Sequence, residues 1–118
     1  YIHSEAYAAG ELKHGTISLI EEGTLVVALA TQPALFEKTV SNIREVVARG
    51  ASVVLVTTDD FTGDESVCQH IVRLPQCLYE FSASLSIIPM QLLAYYIAVE
   101  RNCDVDKPRN LAKSVTVE

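Results

Sequence analysis

Two runs of almost unbroken apolar residues, 24–30 and 51–57, dominate the hydropathy pattern. Each is bounded by glycine or polar residues and is too short for a buried helix, so each predicts a strand covered on both faces. Between them the period changes. Leu35, Phe36, Val40, Ile43, Val46 and Val47 recur at helical spacing, with Glu37, Lys38, Arg44 and Glu45 mostly on the other side. Thr31-Gln32-Pro33 reads as the turn that starts this helix, and Gly50 as its end. Strand, helix, strand in this order predicts a parallel crossover. A polar loop with Asp59, Asp60, Gly63, Asp64 and Glu65 follows, then a shorter strand over 70–74, stopped by Pro75.

The flanking segments read as helical. Ser4 is a suitable N-cap, Glu5 suits the first turn, and Ala6 to Ala9 with Leu12 continue a helix that Gly15 ends just after Lys13 and His14. Near the other end, residues 79–86 predict a helix that Pro89 interrupts. Ser86 then caps a second helix running to Arg101, with Leu92, Leu93, Tyr96, Ile97 and Val99 on its buried side. Residues 104–118 form a polar tail containing Pro108. The expected class is α/β, a parallel sheet flanked by helices, over residues 1–103, with 104–118 as a separate tail. The chain opens on Tyr1 rather than Met. The expectation is a C-terminal portion of a larger domain, whose upstream part would cover an edge strand and an apolar helix face.

Composition narrows the function. Of 118 residues, 49% are hydrophobic and 20% charged, enough for a packed core. A net charge of −6 with nine Lys+Arg argues against a nucleic-acid surface, while leaving room for one cationic pocket for a small phosphorylated ligand. Cys68, Cys77 and Cys103 fit no zinc spacing and read as reduced thiols. No signal peptide is recognisable and no apolar stretch reads as long enough to span a membrane, so a cytoplasmic protein is expected.

Two residues carry candidate chemistry. Lys113 bears an amine that, where neutral, can attack a carbonyl to form a Schiff base; five residues from a chain end and taken alone, it reads far more readily as a solvated side chain. His14 can exchange protons near neutrality, or simply complement a helix C-terminus. Asp104 and Asp106 are too few for a metal site and read as anchors for the tail through Arg109 or Arg101. No glycine-rich phosphate loop is present, and neither a metal nor a cofactor is expected.

Specific segments resemble the glutamine–fructose-6-phosphate aminotransferase family. They are Glu11-Leu12-Lys13-His14-Gly15, Ser4-Glu5-Ala6 before Gly10, residues 89–95, and the tail from Asp104 to Lys113-Ser114-Val115-Thr116-Val117-Glu118. The resemblance covers the whole chain and implies the last part of the second sugar-isomerase (SIS) domain, a three-layer α/β fold, plus the C-terminal tail. It implies a role in converting fructose 6-phosphate and glutamine to glucosamine 6-phosphate, the first step of amino-sugar synthesis. By the same resemblance Lys113 forms an imine with the sugar and Ala112 lies beside it. His14 opens the sugar ring in the neighbouring subunit's site, which makes the intact enzyme a homodimer. His3 and Glu5 lie nearby with no catalytic role. The isomerase base, the Ser/Thr-rich phosphate loop, the first SIS domain and the glutaminase domain would lie upstream, so this chain alone is expected to be inactive. Where the family often has proline after the glycine, this chain has Thr16. The alternatives are another SIS phosphosugar isomerase or deaminase, and a non-catalytic SIS regulator that binds a phosphosugar.

Overall fold

The computed structural model describes residues 1–109. Three strands, β1 (Leu25–Ala30), β2 (Ser52–Thr58) and β3 (His70–Leu74), form one parallel sheet in the order β1-β2-β3. Leu25 stands opposite Ser52 and Val54 opposite His70. Helix α1 (Phe36–Val47) makes the crossover from β1 to β2, and helix α2 (Ser82–Glu100) follows β3. The predicted α/β class and strand-helix-strand unit are therefore present.

The core lies between α1 and one face of the sheet. Phe36, Val40, Ile43 and Val46 are buried against Ala30, Val53 and Leu55. Their spacing brings one stripe of the helix onto the sheet. Each such side chain contributes about 1.5–3 kcal/mol when fully buried. Phe61 packs edge-on against Phe36, with ring centroids 4.8 Å apart. The Thr57 hydroxyl, fully buried, donates to the Ala30 carbonyl at 2.7 Å, which satisfies it. Gly50 adopts φ +91 at the end of the crossover, and its amide donates to the Val47 carbonyl. Its carbonyl accepts from Gly23 N–H, which anchors the start of β1.

The opposite face is only partly covered. Successive strand residues alternate sides, so Val56 and Thr58 face away from Leu55 and Thr57. Val56, Thr58 and Leu74 are buried, and α2 lies against β3, but Ser86 is the one buried residue of that helix. On β1, Leu25 and Leu29 remain 52% and 50% exposed. The prediction that both strand faces are buried thus holds for β2 and fails for β1, an edge strand over whose outer face no layer lies among the described residues.

Three other expectations change. Residues 4–9 are not helical: they run without regular structure into 3-10 turns at Glu11–His14 and Thr16–Leu19. Ser4 caps nothing. Pro89 does not divide the last helix, and α2 is continuous through it. Proline removes one backbone donor, and here the helix tolerates the loss of that bond to the Leu85 carbonyl. Ser86 caps no new helix; its hydroxyl donates to the Ser82 carbonyl at 2.7 Å. Because it is unbroken, the helical stretch Tyr79–Glu100, with mean hydropathy 1.5, is long and apolar enough to cross a membrane by length and composition. The reading that no apolar stretch reaches that length is corrected accordingly. The core helix of a larger domain meets the same criterion.

Candidate functional site

His14 sits at the end of a single 3-10 turn, followed by Gly15 at φ +148, ψ −53. That conformation is open to glycine at little cost, and it lets two short turns meet head to tail. Ser18 closes the junction, its amide and hydroxyl both donating to the Gly15 carbonyl at 3.0 and 2.8 Å. Leu12, Ile17 and Ile20 pack against the core and hold the double turn down. The ammonium of Lys13 pairs with Oε1 of Glu45 on α1 at 2.6 Å. Pinned on both sides, the turn holds His14 exposed, without a hydrogen-bond partner among the described residues. One turn of 3-10 helix carries little macrodipole, so the helix-capping reading of His14 loses most of its basis.

The segment before this turn holds a small polar cluster. The Tyr7 hydroxyl donates to Glu5, and His3 Nε2 lies 3.1 Å from Glu5 Oε1. The Tyr7 hydrogen bond, then the His3 one, holds the Glu5 carboxyl below its ordinary value, while Glu5 pushes the Tyr7 phenol up. Residues two apart share a side in extended chain, which is how three alternate residues meet. Tyr7 was missed because the segment reads as helical, and in a helix Glu5, two residues from each, would face away from both His3 and Tyr7.

Lys113 and Ala112 lie outside the described residues. The preceding stretch is described as far as Arg109. Asp104 accepts from the backbone N–H of Asp106 and Lys107, both at 2.9 Å. Its partners are thus backbone amides; among the described residues it forms no ion pair with Arg101 or Arg109. The Arg109 amide donates to the Tyr1 hydroxyl, and its guanidinium stands 4.3 Å above the Tyr1 ring.

Two further features are unrelated to the predicted residues. An opening of about 360 Å³ lies where β1 ends beside the start of α2, between Leu29, Gln32, Tyr79, Ala83 and Met90. Gln32 Nε2 donates to the Tyr79 hydroxyl across it at 3.4 Å. Ligands of open parallel sheets bind at this carboxyl edge. The loop from β2 to β3 is fastened by charge. Arg44 on α1 reaches Asp64 at 2.8 Å, Ser66 donates to Asp64 through its amide and hydroxyl, and Arg73 pairs with Glu65. The Ser66 hydroxyl, then Arg44, draws the Asp64 carboxyl down to about 2. Among the described residues no group of three His, Cys, Asp or Glu side chains is placed to hold a metal ion.

The SIS domain model matches residues 1–101, and the chain belongs to the SIS domain family. Within that family it is similar to enzymes named glutamine–fructose-6-phosphate aminotransferase (isomerizing). It is 61% identical over 118 residues to the one from Caldanaerobacter subterraneus and 57% identical to that from Clostridium tetani. Both matches take in the whole of this chain and 19% of the relative. A solved structure, the C-terminal domain of glucosamine-fructose-6-phosphate aminotransferase from Francisella tularensis, superposes with a TM-score of 0.79 at 36% identity. That match covers 91% of this chain and 30% of the other. The chain therefore spans about a fifth of the length of the curated relatives it matches.

Proposed function

We propose that this chain is the C-terminal isomerase portion of an enzyme that makes glucosamine 6-phosphate from fructose 6-phosphate and glutamine. The observation that carries this reading is 61% identity, over all 118 residues, to an enzyme named for that reaction. The chain's share of the chemistry rests on two residues.

Lys113 is the covalent anchor. Its neutral amine adds to the C2 carbonyl of open-chain fructose 6-phosphate, and loss of water leaves an imine. A nearby cation or burial supplies the neutral fraction. Ala112, its neighbour, lies against the sugar. His14 opens the ring: it gives a proton to the ring oxygen and receives one from the anomeric hydroxyl. The exposed, tethered turn supports this role, because the imidazole is free to enter another subunit's site. The reading makes the working enzyme a homodimer in the cytoplasm.

The base that moves a proton between C1 and C2, the loop that holds the sugar phosphate and the source of ammonia are supplied by the rest of the enzyme. The 118 residues by themselves are inactive in this account. Helix α2 serves as a core helix of the completed domain, and the exposed side chains of β1 and α2 pack against that missing part.

A chimaera tests the proposal. The matching 118 residues of the Caldanaerobacter enzyme are replaced by this chain, and glucosamine 6-phosphate formation is measured. Activity within about tenfold of the parent is expected, and His14→Asn should lower it at least a hundredfold. A folded but inactive chimaera that still binds fructose 6-phosphate tightly would favour a phosphosugar-sensing role instead.

A further inference from the structure

We propose that the turn after α2 forms a binding site for a phosphate dianion, either inorganic phosphate or a phosphate monoester. Three of the chain's nine Lys+Arg residues, Arg101, Lys107 and Arg109, line one opening of about 360 Å³ together with Tyr1, Asn102 and Asp104. A net charge of −6 makes this concentration of positive charge exceptional within the molecule.

Among the described residues none of the three forms an ion pair with a carboxylate. They are not needed as caps for α2. The Ile97, Ala98 and Val99 carbonyls already accept from the amides of Arg101, Cys103 and Asn102. Asn102 takes a left-handed φ of 53, which turns the chain back on itself after the helix. The Asp104 carboxylate then gathers the amides of Asp106 and Lys107, setting the return path that brings Lys107 and Arg109 beside Arg101. One anion thus faces three cations, leaving about two net positive charges in the opening.

The Arg109 guanidinium is held over the Tyr1 ring, 4.3 Å from its centroid, at the wall of the opening. A guanidinium edge matches two phosphate oxygens, and Lys107 adds a point charge. A phosphate dianion fits this charge count better than a carboxylate, which would leave a positive excess. The site does not depend on the proposed role of Lys113 or His14.

The test is a titration of the 118-residue chain, followed by amide and Arg side-chain NMR shifts. Inorganic phosphate and fructose 6-phosphate are compared with chloride at matched ionic strength. Saturable shifts confined to Arg101, Asn102, Lys107 and Arg109 are expected with either phosphate. Equal affinities identify phosphate itself as the ligand, and tighter binding of the sugar ester identifies the monoester. Arg101→Gln and Lys107→Gln should each weaken binding about fivefold, whereas Lys38→Gln, on the exposed side of α1, should not. Both residues are exposed, so neither variant should unfold the chain, and far-UV circular dichroism checks this. Shifts reproduced by chloride, spread over the surface, or unchanged in both variants would overturn the proposal.

Discussion

Replacing Gly50 by Ala adds one methyl group where the backbone has no room for it. Gly50 holds φ +91, a region costing an L-residue about 1–2 kcal/mol. The added Cβ would also stand 2.7 Å from the Glu22 Cα, a backbone atom that cannot swing away as a side-chain tip can. Relieving such overlap by shifting backbone costs about 1–3 kcal/mol. Against these, alanine restricts the unfolded chain and returns about 0.4–1 kcal/mol. The balance is a loss of about 1–4.5 kcal/mol, with a central value of about 3, a large part of the stability of a small domain. Gly23 supplies the control. It holds φ +84 but has nothing within 4 Å of an added Cβ, so Gly23→Ala meets the conformational term alone, about 1 kcal/mol after the same entropy correction. Urea unfolding of both variants, followed by circular dichroism, gives the two values at constant m. Equal losses would refute the steric cost assigned to Glu22 beside Gly50.

Other outcomes follow from the same structure. Asp64 titrates near 2 when folded, below its ordinary 3.8, so its contribution is fully present above about pH 4 and is lost as pH falls through 2. Wild type and Asp64→Asn should therefore differ in urea midpoint at pH 6 and converge toward pH 2; a constant difference would contradict this assignment. Thr57→Val removes the buried bond to the Ala30 carbonyl and should lower stability by about 1–2 kcal/mol, measured by thermal melting. Helix α2 exposes Ile88 and Leu92 at 50% and 51%, so the isolated chain should associate as concentration rises. Leu92→Glu should reduce that association in sedimentation velocity, and a wild-type chain monomeric at high concentration would contradict the expectation.

The legible part of the fold was the part that makes its own core. Phe36, Val40, Ile43 and Val46 repeat at helical spacing because one stripe of α1 is buried, and the continuous run of β2 reflects two covered faces. The run of β1 looks the same, yet Leu25 and Leu29 are exposed. Hydropathy records what a residue is suited to meet, and here that neighbour is not among the described residues. Ala6 to Ala9 suit a helix by propensity alone, but no apolar stripe would anchor one, and Gly10 and Gly15 weaken it. Pro89 was overread as a break, although it removes only one donor from a helix of 19 residues. At the site, His14 and its glycine could be found by resemblance. The Lys13–Glu45 tether could not, because a pair 32 positions apart leaves no local pattern. The cationic opening was foreseen only as a possibility of charge; its members are brought together by the turn at Asn102.

The account's central claim is that one amine of this chain becomes bonded to substrate carbon. Fructose 6-phosphate and borohydride added to the chimaeric enzyme should leave a reduced sugar adduct on the tryptic peptide containing Lys113, and Lys113→Arg should abolish it. An enzyme that turns over normally while Lys113 stays unmodified, or an adduct found on another lysine, would contradict it.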